Sequence, residues 1–293
     1  MRKNKNQITF TALLAIALAV FFFLQQYSKA NTPAGEGLRV WFFDVGQGDG
    51  IFFRTAEGVD VLIDGGPGSS VIEKLAKVLP AWDKQIDYVF LTHPHADHLE
   101  GLIEVLQRYE VSNFIESGFV AKTAGYERLE KEAMSGGEKK IIAKTGDRFD
   151  FGSDVTAEVF WPEPGILSSA TDTNDSSIVM KLSYGEIDFL LTGDATETVE
   201  KGLLDDDLNS EFLKVAHHGS RYASTTAFLQ KASPLVSFIS SGKGNTYGHP
   251  APEALQRLIT AGSRVLRTDL SGTIEVEVGR DGRWKIVCEK TCK

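Results

Sequence analysis

Thr92-His93-Pro94-His95-Ala96-Asp97-His98 has the form H-x-H-x-D-H and follows directly on the apolar run Tyr88-Val89-Phe90-Leu91. A buried strand ending there delivers three histidines and an aspartate into a single tight loop. Neutral imidazoles and a carboxylate suit zinc or its first-row neighbours, and adjacent backbone turns can aim them at two nearby points. The chain has six histidines in 293 residues, and the other three fall in Ala216-His217-His218-Gly219 and Tyr247-Gly248-His249-Pro250. Histidines kept for packing would be scattered. These sit at expected strand or loop ends, the places where sites are usually built.

Outward from this loop, strands and helices alternate. Upstream, 38–45, 51–55 and 59–63 are β-rich, and 69–79 has apolar residues at Val71, Ile72, Leu75, Ala76 and Leu79. That is a helical period, with Ser70 as the cap and Pro80 as the stop. A helix over 99–108 leaves the histidine loop. Further on, 155–161, 177–183, 188–191, 212–216, 235–239, 264–266, 273–278 and 284–287 are expected strands, and 196–204, 224–231 and 253–261 are expected helices. The segment 121–148 holds seven Lys or Arg against five acids. It is expected to be either a solvated surface insertion or a strip that contacts a polyanion. The pattern predicts one α/β layered domain with mixed sheets.

Asp194 ends the apolar strand Leu190-Leu191-Thr192-Gly193-Asp194. A charge at a buried strand end is costly without a cation, so metal bridging accounts for it better than capping of the next helix. Two neighbouring residues at a strand end point in different directions, so one of His217 and His218 can ligate while the other faces substrate. Which ring does which stays open.

Further segments carry a resemblance. Phe43-Asp44-Val45-Gly46-Gln47-Gly48-Asp49, Leu62-Ile63-Asp64-Gly65-Gly66, Asn174-Asp175-Ser176-Ser177-Ile178-Val179, Leu191-Thr192-Gly193-Asp194, His217-His218-Gly219-Ser220 and Arg267-Thr268-Asp269-Leu270-Ser271-Gly272-Thr273-Ile274 occur in a consistent order over 38–279. With the H-x-H-x-D-H loop, the chain resembles the metallo-β-lactamase superfamily, and in particular the hydrolase-like domain at the C-terminal end of the ComEC competence proteins. The long polytopic membrane region of that family is not expected here.

The resemblance implies a four-layer αββα sandwich holding two divalent metal ions, zinc or manganese ahead of magnesium, at one edge between the sheets. It assigns His93 and His95 to the first ion, Asp97 and His98 to the second, and Asp194 as the bridge, with His217 or His218 completing the second. The superfamily's further histidine between the loop and Asp194 is absent. Asn174, Asp175, water or one of the paired histidines must then serve the first ion. Asp64 falls where the family orients the metal loop through outer hydrogen bonds, and Asp44 and Asp49 could do likewise. Asp97, His218 and His249 are the expected catalytic residues, with His218 or His249 protonating the leaving oxygen.

Arg2, Lys3 and Lys5 precede an apolar stretch over 8–24, and Ser28-Lys29-Ala30 follows. Residues 1–30 therefore read as a signal peptide or an uncleaved anchor, 31–37 as a linker, and 38–293 as an extracytoplasmic hydrolase domain. The formal charge is −9, and the first thirty residues hold four of the 31 cationic residues and no acid, which leaves −13 on the remainder. A non-specific DNA binder normally presents a basic face, so this balance speaks against broad phosphate contact. Cys288 and Cys292 could form a small disulfide in an oxidising compartment.

The expected partner is DNA or another phosphodiester, with membrane attachment through the N-terminal segment and no protein partner evident. The rival functions are hydrolysis of a small or cell-wall-linked ester, and a metal-stabilised, non-catalytic binding domain of a DNA-uptake system.

Overall fold

The computed structural model describes residues 37–168 and 172–293. The expected leader or anchor, and the linker up to residue 36, lie outside the described residues. The first strand already begins at Gly37. Among the described residues, no helix is long and apolar enough to cross a membrane.

In chain order the elements are β1 (Gly37–Phe42), β2 (Ile51–Arg54), β3 (Asp60–Ile63), α1 (Ser70–Val78), β4 (Gln85–Leu91), α2 (Ala96–Arg108), β5 (Glu110–Glu116), α3 (Ala124–Ser135), β6 (Lys139–Ile142), β7 (Arg148–Asp150) and β8 (Val155–Trp161). There follow β9 (Val179–Tyr184), β10 (Ile187–Leu191), α4 (Glu197–Gly202), β11 (Phe212–Lys214), α5 (Thr226–Ala232), β12 (Val236–Ile239), α6 (Pro252–Thr260), β13 (Arg264–Arg267), α7 (Thr268–Ser271), β14 (Ile274–Gly279) and β15 (Trp284–Cys288). They build an eight-stranded sheet, β15-β14-β1-β2-β3-β4-β5-β6, and a seven-stranded sheet, β13-β12-β11-β10-β9-β8-β7. Both are mixed. β3 to β6 run parallel, as do β10 to β13.

The central strands are buried on both faces, and their period of two decides the layering. From β1, Leu38, Val40 and Phe42 point between the sheets, where they meet Phe189, Phe212 and Phe238 of the other sheet. Phe42 stacks on Phe238 with centroids 4.1 Å apart. The alternate residue Trp41 faces outward with Phe52 and Leu62 onto Leu75 of α1, Leu102 of α2 and Leu129 of α3. On the second sheet, Leu190, Leu213 and Ile239 turn outward onto Val199, Phe228 and Leu258 of α4, α5 and α6. The order is helix, sheet, sheet, helix: the αββα sandwich.

Three local expectations are corrected. The segment 121–148 is no insertion: β6 pairs with β5, and α3 buries Tyr126, Leu129 and Ala133 in the outer helical layer. Ser70 does not cap α1 but is its first residue, and its hydroxyl donates to the Val45 carbonyl at 3.0 Å. The strand expected over 212–216 stops at Lys214, because the chain turns left-handed at His217. Cys288 and Cys292 are joined in a disulfide across Cα atoms 5.3 Å apart.

Candidate metal centre

Parallel strands place their carboxyl ends at one edge of a sheet, and loops leaving that edge build sites. Asp64 follows β3, the H-x-H-x-D-H loop follows β4, Asp194 follows β10 and His217-His218 follow β11. Helix α2 carries Asp97 and His98 in its first turn and approaches the β3 turn very closely. Gly65 N donates to His98 O at 2.7 Å, and Gly101 N donates to Gly66 O at 3.0 Å. A Cβ on Gly101 would stand 2.0 Å from Gly65 O, so only glycine permits this approach.

The structure brings the two sheets' contributions to one oxygen. Asp194 Oδ2 lies 3.3 Å from His218 Nε2, 3.4 Å from His98 Nε2, 3.9 Å from His217 Nε2 and 4.0 Å from His93 Nε2. Asp97 Oδ2 is 3.2 Å from His218 Nε2, and His95 Nδ1 is 3.1 Å from His93 Nε2. The ligand atoms of Asp97, His98, Asp194 and His218 all lie within 4.8 Å of one another. His98 Nε2, His218 Nε2 and Asp194 Oδ1 are buried without a hydrogen-bond partner. Such atoms are costly unless something satisfies them, and imidazole and carboxylate donors at this spacing fit a divalent cation.

Outer contacts set the ring orientations. Asp64, left-handed at φ 59°, accepts from Thr92 N at 2.8 Å, Thr92 Oγ1 at 2.7 Å and His98 Nδ1 at 2.7 Å. That bond keeps the proton of neutral His98 on Nδ1 and turns the Nε2 lone pair inward. His218 Nδ1 donates to the Ser240 carbonyl at 3.0 Å, with the same result. Asp194 is held from behind, its backbone N–H donating to Ser177 Oγ at 3.1 Å.

Electrostatics report an unsatisfied negative site. Burial disfavours the charged forms of His98 and His218, yet Asp194, with Asp64 and Asp49, outweighs it and holds both well above the usual histidine range. Burial would raise the Asp194 carboxyl, but His218 and His98 hold it well below the usual carboxylate range. Protons thus supply the positive charge that a cation would bring. Burial and the neighbouring His98 push His93 well down, and burial lowers His217 and His249.

The paired histidines depart from the sequence expectation. Both are left-handed, at φ 49° and 53°, and instead of diverging they direct both Nε2 atoms to Asp194. His218 is enclosed, 1% exposed, while His217 is half-buried. His249 stands beside them, its ring 5.5 Å from that of His217 and 6.3 Å from that of His218, with Nδ1 unpartnered. Asp175 is occupied elsewhere, accepting from Thr196 Oγ1 at 2.5 Å, whereas Asn174 is buried with Oδ1 free of hydrogen bonds. Asp44 turns to Lys290, 3.7 Å away, and does not join the cluster.

Sequence reasoning missed Lys214, 1% exposed, whose ammonium pairs with Asp49 and donates to Gly193 O at 3.2 Å. The only signal was a lysine between Leu213 and Val215 in a strand buried on both faces.

This fold, with histidines and aspartates gathered at the strand ends, belongs to a known class: residues 43–243 match the metallo-beta-lactamase superfamily, and the chain belongs to it. It is 31% identical to ComE operon protein 3 of Bacillus subtilis (strain 168), over 94% of this chain and 36% of that protein. It is 29% identical to competence protein ComA of Neisseria gonorrhoeae, over 87% of this chain and 34% of that one. Both are ComEC-family competence proteins, and the chain spans about a third of their length. The metallo-beta-lactamase fold protein YhfI from Bacillus subtilis superposes with a TM-score of 0.56 over 86% of this chain and 100% of that one. Its sequence identity is 13%, so the likeness is one of fold.

Proposed function

We propose that the chain is an exported, metal-dependent phosphodiesterase that acts on DNA. One observation carries this reading: four imidazole nitrogens lie within 4.0 Å of Asp194 Oδ2. His93, His95 and His217 would hold one divalent ion and Asp97, His98 and His218 a second, with Asp194 shared between them. His217 then takes the place of the superfamily's missing histidine, with Asn174 Oδ1 as a spare donor. Divalent cations bound there supply Lewis acidity toward a phosphoryl oxygen and lower the pKa of water.

The chain's own groups do the rest. His218, engaged by Asp97, Asp194 and Ser240, is a poor proton donor to a leaving oxygen. His249, half-buried beside the cluster with Nδ1 unpartnered, is better placed to exchange a proton with a reacting oxygen, work worth on the order of 100-fold in rate. Tyr247 stacks against His249 with centroids 6.0 Å apart and is 72% exposed, so it offers a face on which an unpaired base can rest. DNA as substrate rests on the competence relatives, and export on the cationic and apolar leader.

The test is purified chain stripped of metal and then given Mn2+ or Zn2+. It is assayed on single-stranded DNA, duplex DNA and a chromogenic phosphodiester. Turnover should require the ion, favour single strands and fall only gently with salt, since the slope counts roughly 0.9 per duplex phosphate contacted. The net charge of −9 favours one rival, a hydrolase of small diesters. Turnover of the chromogenic ester with none on DNA at any salt would establish that rival, and bound metal with no turnover on either would leave a binding domain. A reporter active only outside the cytoplasm, fused after Lys293, tests export; silence from a well-expressed fusion would refute it.

A further inference from the structure

Lys214 sets a fixed positive charge beside the metal centre. Its ammonium pairs with Asp49, 1% exposed, and donates to the carbonyl of Gly193, the residue that precedes Asp194. Asp49 in turn stands behind two rings, with Oδ1 3.4 Å from His218 Nδ1 and Oδ2 4.0 Å from His98 Nδ1. The Lys214 carbonyl accepts from Thr192 Oγ1 at 2.7 Å, which ties β11 to the same turn. Asp49, Asp64 and His98 also form a compact set of donor atoms of the kind that attracts a metal ion. In this structure Lys214 already puts a positive charge against it.

We propose that Lys214 is a positioning residue: a resident buried cation that satisfies Asp49, keeps it behind His218 and His98, and fixes the Gly193-Asp194 turn. The Nε2 atoms and the Asp194 carboxylate are thereby aimed before any ion arrives. The proposal rests on the metal-binding reading above, and it makes a prediction opposite in sign to simple electrostatics. Deleting a buried positive charge beside a cation site should tighten cation binding if charge alone mattered. Loss of a group that orients ligands instead weakens binding, by roughly 10- to 100-fold where such outer partners have been removed.

The experiment measures Mn2+ binding by calorimetry, and stability by thermal unfolding without metal, on the full chain and on Lys214→Met, Asp49→Leu and the double variant. Lys214→Met should bind Mn2+ at least tenfold more weakly and be less stable, because it strands a buried carboxylate. The double variant removes both charges and should recover much of the stability without recovering Mn2+ affinity. A purely structural lysine would let affinity return together with stability. Unchanged or tighter Mn2+ binding by Lys214→Met, or restored affinity in the double variant, overturns the proposal. Failure of the unsubstituted chain to bind Mn2+ would instead remove the metal reading on which it rests.

Discussion

His217 and His218 are consecutive, yet their Nε2 atoms lie 3.9 and 3.3 Å from the same oxygen, Asp194 Oδ2. A strand would send neighbouring side chains to opposite faces; two left-handed residues in a row do not. This conformation costs a non-glycine residue about 1–2 kcal/mol. The site therefore holds strain that the surrounding contacts must offset. Arg257 contributes, donating to the carbonyls of Arg221, Ala223 and Ser224 just beyond the pair.

That strain can be read directly. His217→Gly and His217→Ala both remove the ring, but only alanine keeps a Cβ at φ 49°. The strain exceeds the extra unfolded-state entropy of glycine, so the glycine variant should be more stable by about 0.5–1 kcal/mol. Urea unfolding of the metal-free protein measures it, and equal stabilities would show that the left-handed geometry is not retained.

Asp194→Asn and His95→Ala each delete a proposed ligand. Each should abolish hydrolysis and weaken metal binding by more than the roughly 10- to 100-fold expected for an outer partner, while circular dichroism stays that of the folded domain. Wild-type turnover by either variant at saturating metal would refute the two-ion assignment.

Ion binding should expel protons. Against burial, Asp194 holds His98 and His218 well above the usual histidine range, so both carry a proton at neutral pH when no cation is present. Calorimetry in buffers of different ionisation enthalpy should then show about two protons released at pH 7 as the ion held by Asp97, His98 and His218 binds. Affinity should rise with pH. For the metal-free domain the sign is opposite: the stability these two raised groups contribute is complete below about 6.5 and lost as pH climbs through their folded values. Proton release near zero would show that these rings are already neutral.

Glu289 gives an acid-side test remote from the site. Hydrogen bonds from Lys77 at 2.9 Å, Thr273 N at 3.1 Å and Lys74 at 3.2 Å hold its carboxyl at about 2. Its pKa is depressed on folding, so its stabilisation is present above about 4.3 and is lost as pH falls toward 2. The side chain is 38% exposed, so the contribution should stay below about 1 kcal/mol. Carbon NMR should place the Glu289 midpoint near 2 and show it rising in Lys77→Met; an ordinary midpoint in the unsubstituted protein would contradict the contact.

The sequence made some of this legible and hid the rest for physical reasons. β4 and the loop after it could be read because a long apolar run ends abruptly in ligand-type residues. Asp194 could be read because a carboxylate at a buried strand end needs a partner. The direction of the paired histidines could not, since positive φ in non-glycine residues is imposed by tertiary contacts and leaves no periodic trace. α3 was missed because Tyr126, Leu129 and Ala133 supply a narrow apolar stripe among charges. β6 and β7 are short edge strands with exposed charged residues, which conceal a strand pattern. Lys214 was missed because only its burial and its pairing with Asp49, far off in sequence, give it a place.

The register of β1 has a consequence for how the protein is made. β1 lies between β2, which follows within a few residues, and β14, far along the chain: the paired Arg39 and Glu275 are 236 residues apart. During synthesis, one flank of the apolar β1 therefore stays a bare row of amides and carbonyls until β14 is made. Such an edge recruits other chains and seeds aggregation. Premature termination before Ile274 would leave every residue of the histidine and aspartate cluster in the product, yet release a chain prone to clump before the cluster could be used.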